Sequence, residues 1–346
     1  MPNLSLNPTQ DTMFFADQHW EDLVENAPLY EQCDVLPEYF AAPIFVLWEL
    51  TGKCPLKCMY CYVSCPKKTE DLPEEEIWRV ANELVRTKVF MVCLSGGEPT
   101  IHPLYLELLS YLSHSGVTIG TVTSGWSMTP RLAQAIRAHT NSVQVSIDGP
   151  NASIHDTVRG RAGSFSRAVA AVKMLQDAGV ERIHVAFAPT RYSADLLPEM
   201  IDLCAELGVA TLRTQHLAAV GSVALYPECE PTADQYERLL RAITAHAKSG
   251  SKQPVIQWGD PSLHMHVGLA LGRTFGARIT SEGDAGFTPY LDWSFGSVRR
   301  QSLSLIWERG LRSAWRHPLV RERVSRIKGP LDLRAVPNYP LRVEIA

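Results

Sequence analysis

The chain has 346 residues, of which 45% are hydrophobic and 20% charged, with a formal net charge of −4. That balance excludes a disordered chain and supplies enough apolar material for a large core. No run approaches the roughly 18 apolar residues of a membrane span, and no basic-then-apolar stretch opens the chain, so a soluble, cytoplasmic protein with no membrane partner is expected.

Residues 1–43 read as an acidic extension, since residues 1–52 carry nine Asp and Glu and no Lys or Arg. Ile44–Leu50 is a continuous apolar run suited to a buried parallel strand. The spacing then predicts a helix over Asp71–Arg86, opened by Pro73 and by acids in its first turn. Strands and helices alternate from there: Val89–Leu94, Leu104–Ser113, Val117–Thr123, Pro130–Ala138, Ser142–Ile147 and Ser164–Ala178. Arg182–Ala188, Ala194–Leu207, Ala210–Leu217 and Thr232–Lys248 continue the series. Six β-α units point to a parallel α/β fold over residues 44–250, either a partial barrel or an open doubly wound sheet. Residues 251–346 form a separate C-terminal region, and its stretch 297–346 carries eleven Lys and Arg against four acids. A nucleic-acid arm is the weaker reading of that stretch. Its arginines interleave with Trp307, Leu311, Trp315, Leu319 and Val324, as on the wet face of packed helices. The oppositely charged ends suit one another as neighbours.

Eight cysteines are present, and four of them, Cys54, Cys58, Cys61 and Cys65, fall within twelve positions. In a chain of this length without a secretory signal, free thiols or metal ligands are expected rather than disulfides. Thiolates spaced C-x3-C-x2-C suit an iron–sulfur cluster with one iron left open; a structural zinc site closed by Cys65 is the alternative. This loop follows the first strand, Gly96-Gly97-Glu98-Pro99 the second, and Ser124-Gly125 the third. Ser146 and Asp148 end the fourth strand, and Gln215 and His216 end the sixth. In a parallel α/β fold all these points share the C-terminal edge of the sheet, where such folds place their active sites.

Cys54-Pro-Leu-Lys-Cys58-Met-Tyr-Cys61, followed by Leu94-Ser-Gly-Gly-Glu-Pro99, resembles the radical S-adenosylmethionine (SAM) superfamily. Val143-Gln-Val-Ser-Ile-Asp-Gly-Pro150, with His155-Asp156 and Arg159-Gly160, is similar to the branch of the pyrroloquinoline quinone maturase and the anaerobic sulfatase-maturing enzymes. The resemblance covers roughly residues 43–250 and implies a partial (β/α)6 TIM barrel. It implies that Cys54, Cys58 and Cys61 hold one [4Fe–4S] cluster whose open iron is chelated by SAM. By the same resemblance Tyr60 packs near the adenine, Gly96, Gly97 and Glu98 hold the methionine amine, and Ser146 meets the ribose region. Arg159 would pair with the methionine carboxylate, and Ser124 would be a cofactor contact within Thr123-Ser124-Gly125, where relatives often have Thr-Asn-Gly. The implied chemistry is reductive cleavage of SAM and abstraction of a substrate hydrogen, with the electron from a flavodoxin- or ferredoxin-type reductant.

Gly276–Tyr290 and Phe295–Trp307 resemble the SPASM/twitch extension of that branch, which in relatives binds auxiliary clusters through cysteines. Here no cysteine follows Cys229, and Tyr290 stands after Pro289 where a ligand cysteine is expected. A redox-neutral outcome is therefore expected: epimerisation, elimination, rearrangement or decarboxylation. Cys229, in the loop after the sixth strand, is the candidate hydrogen donor, and His216 the candidate to reach the cavity. Cys93 and Cys204 read as packing residues, Cys65 as loop filler, and Cys33 has no role. Asp260, His264 and His266 read as a loop with solvated histidines. The leading substrate expectation is a small sugar-, nucleoside- or amino-acid-like metabolite of a natural-product or cofactor pathway, because the first 43 residues look too short for a leader-binding domain. A ribosomally made peptide is the alternative, and an iron–sulfur sensor or electron carrier the reading of another class.

Overall fold

A computed structural model of the chain describes residues 37–67, 70–250, 253–291, 293–329, 332–333 and 341–342. Cys33 and most of the acidic extension lie outside the described residues. The six expected strands form as β1 (Phe45–Thr51), β2 (Met91–Gly96), β3 (Thr118–Thr123), β4 (Ser142–Ser146), β5 (Ile183–Phe187) and β6 (Thr211–Gln215). Two further parallel strands, β7 (Val255–Gly259) and β8 (Gly276–Ile279), extend them beyond residue 250, β7 pairing with β6 and β8 with β1. A short antiparallel strand, β9 (Asp284–Gly286), adds to β8. The order β8-β1-β2-β3-β4-β5-β6-β7 leaves β7 and β8 at opposite ends of the parallel run, so the barrel stays open between them. Strands from residues 251–346 are thus hydrogen-bonded into the same sheet as the first six.

Alternation along β1 sets the layers. Val46, Trp48 and Leu50 are fully buried on one face, while Phe45 and Leu47 turn toward an interior cavity. Helices cover the outer face. In α1 (Glu74–Arg86), Ile77, Val80, Ala81 and Leu84 recur at helical spacing and are buried. Each large aliphatic among them contributes about 1.5–3 kcal/mol on burial. Leu108, Leu109 and Leu112 of α2 (Tyr105–His114), and Leu132, Ala133 and Ile136 of α3 (Pro130–His139), repeat the pattern. Between β4 and the next expected helix stands α4 (Ala152–Arg159), which had no counterpart among the expected elements and which Asn151 caps by accepting from the Ile154 amide. It is followed by α5 (Ser164–Asp177), α6 (Leu197–Glu206) and α7 (Ala233–Lys248).

The stretch expected to be a solvated loop around residue 264 is instead α8 (Pro261–Leu271). Asp260 caps it by accepting from the Ser262 amide at 2.7 Å, His264 is packed edge-on between Tyr290 and Trp315, and the His266 ring meets the Ile327 carbonyl. The basic C-terminal stretch does pack on the described end of the acidic one. Arg316 pairs with Glu38 at 2.9 Å, and Arg312 and Arg316 both stack on Tyr39. No helix among the described residues is long and apolar enough to cross a membrane.

Candidate active site

Side chains from β1 through β7 converge on one cavity of about 350 Å3. Its rim holds Cys54, Cys58, Cys61 and Cys65 beside Gly96, Gly97, Ser124, Ser146 and Asp148, so the strand ends singled out in the sequence do meet. The cysteine loop leaves β1 under tight control. Asp71 accepts from the Thr51 hydroxyl at 2.6 Å and the Gly52 amide at 2.7 Å, and the Gly97 amide donates to the Thr51 carbonyl at 2.6 Å. Two outside elements then clasp the loop. The Lys57 and Met59 amides donate to the Arg159 and Val158 carbonyls, both at 3.1 Å, and the Ser222 amide donates to the Cys61 carbonyl at 2.8 Å.

Glycine is required at both contacts. A Cβ on Gly160 (φ +65°) would lie 2.5 Å from the Lys57 carbonyl oxygen, and one on Gly221 (φ +57°) would lie 2.4 Å from that of Cys61. Gly221→Ala is therefore expected to cost about 1–3 kcal/mol in backbone strain alone, before the clash. Thermal midpoint and iron retained after reconstitution should both fall; if neither moves, the clasp does not hold the loop.

The sulfurs receive directed donors. Cys54 Sγ accepts from the Leu56 amide at 3.4 Å, Cys61 Sγ from the Cys65 amide at 3.3 Å, and Cys58 Sγ from the Arg159 guanidinium at 3.5 Å. Burial pushes the Cys54 thiol up to about 12 and that of Cys58 up to about 11, the latter opposed by Arg159. The hydrogen bond from Cys65 instead brings Cys61 down to about 7. Buried thiols of this kind ionise when a cation compensates them, which fits a metal centre. Among the described residues no three His, Cys, Asp or Glu stand at single-ion spacing.

Several expected residues sit differently from their assigned roles. Glu98 is fully buried and does not line the cavity. Its carboxylate accepts from the Thr123 hydroxyl and the Ser124 amide, both at 2.7 Å, and from the Thr100 hydroxyl at 2.6 Å, so it fixes the β2 and β3 ends from behind. Arg159 lines the cavity but is already in contact with Asp148, which also accepts from the Tyr60 hydroxyl at 2.6 Å and the Ala188 amide at 2.8 Å. His216 does not reach the cavity. Successive strand residues face opposite ways, so Gln215 points in and His216 packs outside against Tyr236 and Trp258. Cys229 also misses it: the side chain is buried in a 3-10 turn, with Sγ 3.8 Å from the Met59 carbonyl at the back of the cysteine loop. Cys93 and Cys65, expected as packing and filler, do line the cavity.

The lining residues without an assigned role include Gln144, Arg213, Gln257 and Tyr290. The alternation at the start of Thr211-Leu-Arg-Thr-Gln215, with Leu212 buried on the other face, is the sequence signal that marks Arg213 as inward-facing. Tyr290 reaches in from the C-terminal region and donates to Gln215 at 3.1 Å.

Residues 48–204 match the model of the Radical SAM superfamily. The chain is 34% identical over 245 residues to the mycofactocin maturase MftC of Mycolicibacterium smegmatis, covering 70% of this chain and 60% of that one. It is 32% identical over 198 residues to the PqqA peptide cyclase of Rhodopseudomonas palustris, covering 56% and 52%. It is 30% identical over 290 residues to the AdoMet-dependent heme synthase of Oleidesulfovibrio alaskensis, covering 76% and 74%. The chain thus spans little more than half the length of two of these relatives. The crystal structure of Streptococcus suis SuiB bound to its precursor peptide SuiA shares the fold, with a TM-score of 0.62 at 15% identity over 92% of this chain and 73% of that one. The chain belongs to the radical SAM superfamily, whose enzymes work with a [4Fe–4S] cluster and SAM on a partial TIM barrel.

Proposed function

We propose that Cys54, Cys58 and Cys61 hold the cluster, that Gly96, Gly97, Ser124, Ser146 and Tyr60 border the SAM site, and that the enzyme modifies a ribosomally made peptide. The observation that carries this reading is the sharing of one cavity by the three thiols, the glycine strip and the strand ends. When bound, the cluster and SAM supply a 5′-deoxyadenosyl radical after one-electron reduction, here from a flavodoxin- or ferredoxin-type partner. The chain's own residues orient and shield. Arg159 donates to Cys58 and is held in place by Asp148, while Glu98 fixes the strand ends that carry Ser124 and the glycines. The apolar walls Phe45, Leu47, Leu56 and Leu217 keep water away from the reacting centre.

A peptide now stands ahead of the small metabolite as substrate. The relatives include a maturase and a peptide cyclase, and SuiB was solved with a precursor peptide. A tetrapyrrole substrate is a second reading, supported by the alignment to the heme synthase, which covers 76% of this chain and 74% of that one. Residues 251–346 contain no cysteine, which supports one cluster per chain and a redox-neutral outcome.

Anaerobic reconstitution is expected to give about four irons per chain, the cubane composition, and dithionite with SAM should then yield 5′-deoxyadenosine. Eight irons would overturn the single-cluster reading, and cluster assembly without 5′-deoxyadenosine would revive the electron carrier. Synthetic copies of short peptides encoded beside the gene should raise 5′-deoxyadenosine formation and change mass; a haem precursor doing so in their place would select the second reading.

A further inference from the structure

The cysteine loop has an outer side that the cluster and SAM readings leave unused. Cys54, Leu56, Cys58 and Tyr60 line the cavity, whereas Pro55 and Lys57 between them do not. Lys57 is exposed. Arg161, in the turn between α4 and α5, donates from Nη1 to the Pro55 carbonyl at 2.7 Å. Its Cζ lies 4.0 Å from the centre of the half-buried Trp126 ring, and that of Arg167 on α5 lies 4.4 Å from it. Arg167 Nη1 donates to the Trp126 carbonyl at 2.9 Å. Carbonyls and a ring face orient a guanidinium without cancelling its charge.

Among the described residues, no ion pair engages Lys57, Arg161 or Arg167. Asp156, the one acid within residues 151–167, is taken up as the cap of α5, accepting from the Gly163 and Phe165 amides at 2.6 and 2.8 Å. A chain of net charge −4 thus gathers three exposed cations on the outer wall of its cysteine loop. Substrate and SAM belong to the cavity side. An electron arriving on the outer side crosses only the loop that would hold the cluster, and a small charged patch suits the weak, transient encounters of electron transfer.

We propose that Lys57, Arg161, Arg167 and Trp126 form the docking surface for an acidic one-electron carrier protein that reduces the cluster. This deepens the proposed function and rests on its placing of the cluster at Cys54, Cys58 and Cys61. One electron passes from the carrier, which is oxidised, to the cluster, which is reduced, and no bond forms or breaks.

The test mixes the reconstituted enzyme with reduced flavodoxin or, in a second arm, reduced ferredoxin. Stopped-flow absorption gives the rate of cluster reduction, taken as a ratio to the rate with dithionite, which needs no docking. In at least one arm Arg161→Gln/Arg167→Gln is expected to lower that ratio about tenfold or more, within the range that electrostatic steering contributes. Lys57→Glu should lower it as well, and Arg161→Lys/Arg167→Lys should retain most of it because the charge is kept. The wild-type ratio should also fall as ionic strength rises from about 0.01 to about 0.15 M and the Debye length shortens from about 30 to about 8 Å. A wild type reduced by neither carrier, or a ratio that ignores both salt and the charge-removing variants, overturns the assignment. Variants that keep the ratio but lose stimulation by the peptides would give the patch to the substrate instead. A cluster that the carrier reduces without any 5′-deoxyadenosine appearing from SAM would sink the radical-enzyme reading and leave the docking surface standing.

Discussion

Cys58→Ala is expected to abolish cluster assembly, with iron content and 5′-deoxyadenosine formation falling about 100-fold or more, beyond the 10- to 100-fold typical of outer-shell changes at metal sites. The variant isolates the sulfur. The backbone on either side of Cys58 is tied to the end of α4 by the Lys57 and Met59 amides, so the loop keeps its course when the side chain is shortened. What disappears is one thiol and the acceptor for Arg159, whose guanidinium retains Asp148. Iron analysis, the visible absorption of the cluster and chromatographic assay of 5′-deoxyadenosine read the outcome. Four irons and undiminished SAM cleavage in the variant would remove Cys58 from the ligand set.

A second large effect is expected at a buried ion pair in the sheet, beside the cysteine loop, where the Arg278 guanidinium lies over the Tyr62 ring. Glu49 on β1 and Arg278 on β8 form a forked pair at 2.7 and 3.3 Å, with Glu49 only 1% and Arg278 5% exposed. Arg278→Met leaves a carboxylate stranded in the interior, which costs about 3–5 kcal/mol. At the middle of that range the folded-to-unfolded ratio drops about a thousandfold, a large share of ordinary domain stability. Denaturant unfolding should show a lowered midpoint for Arg278→Met, and the double variant Glu49→Leu/Arg278→Met should regain most of the loss, because replacing both partners removes the unpaired charge. A loss below about 1 kcal/mol in the single variant would mean that Glu49 finds water or another donor. The pair also joins the C-terminal region to the first strand, so its failure should loosen β8 and β9 first.

Continuous apolar strands such as Ile44–Leu50 and strongly periodic helices such as Glu74–Arg86 were legible because burial imposes a period that few other structures share. The rim of the site was legible for a related reason, since cysteine, glycine and serine placed after successive strands can meet only at one edge. β7 and β8 escaped notice for want of such a pattern: Val-Ile-Gln-Trp-Gly and Gly-Ala-Arg-Ile are short, and polar side chains occupy their inward positions. His216 was misplaced by one residue's worth of alternation, which is enough to turn a side chain to the other face. Glu98 illustrates a different limit. Its position in the motif is right, but sequence does not reveal that Thr100, Thr123 and Ser124 would already use its oxygens. Cys229 failed because loop residues carry no period at all, and only the folded turn shows which way the thiol lies.

The double clasp on the cysteine loop bears on the order of maturation. In a zinc finger the metal organises a chain that is unfolded without it, so binding and folding are one event. Here residues 57–61 are held by backbone bonds to Val158, Arg159 and Ser222, none of which involves a metal ligand's sulfur. Iron delivery can therefore come last, onto a partial barrel that already holds its loop, and the free energy of coordination goes to retention of the cluster instead of to shaping the polypeptide.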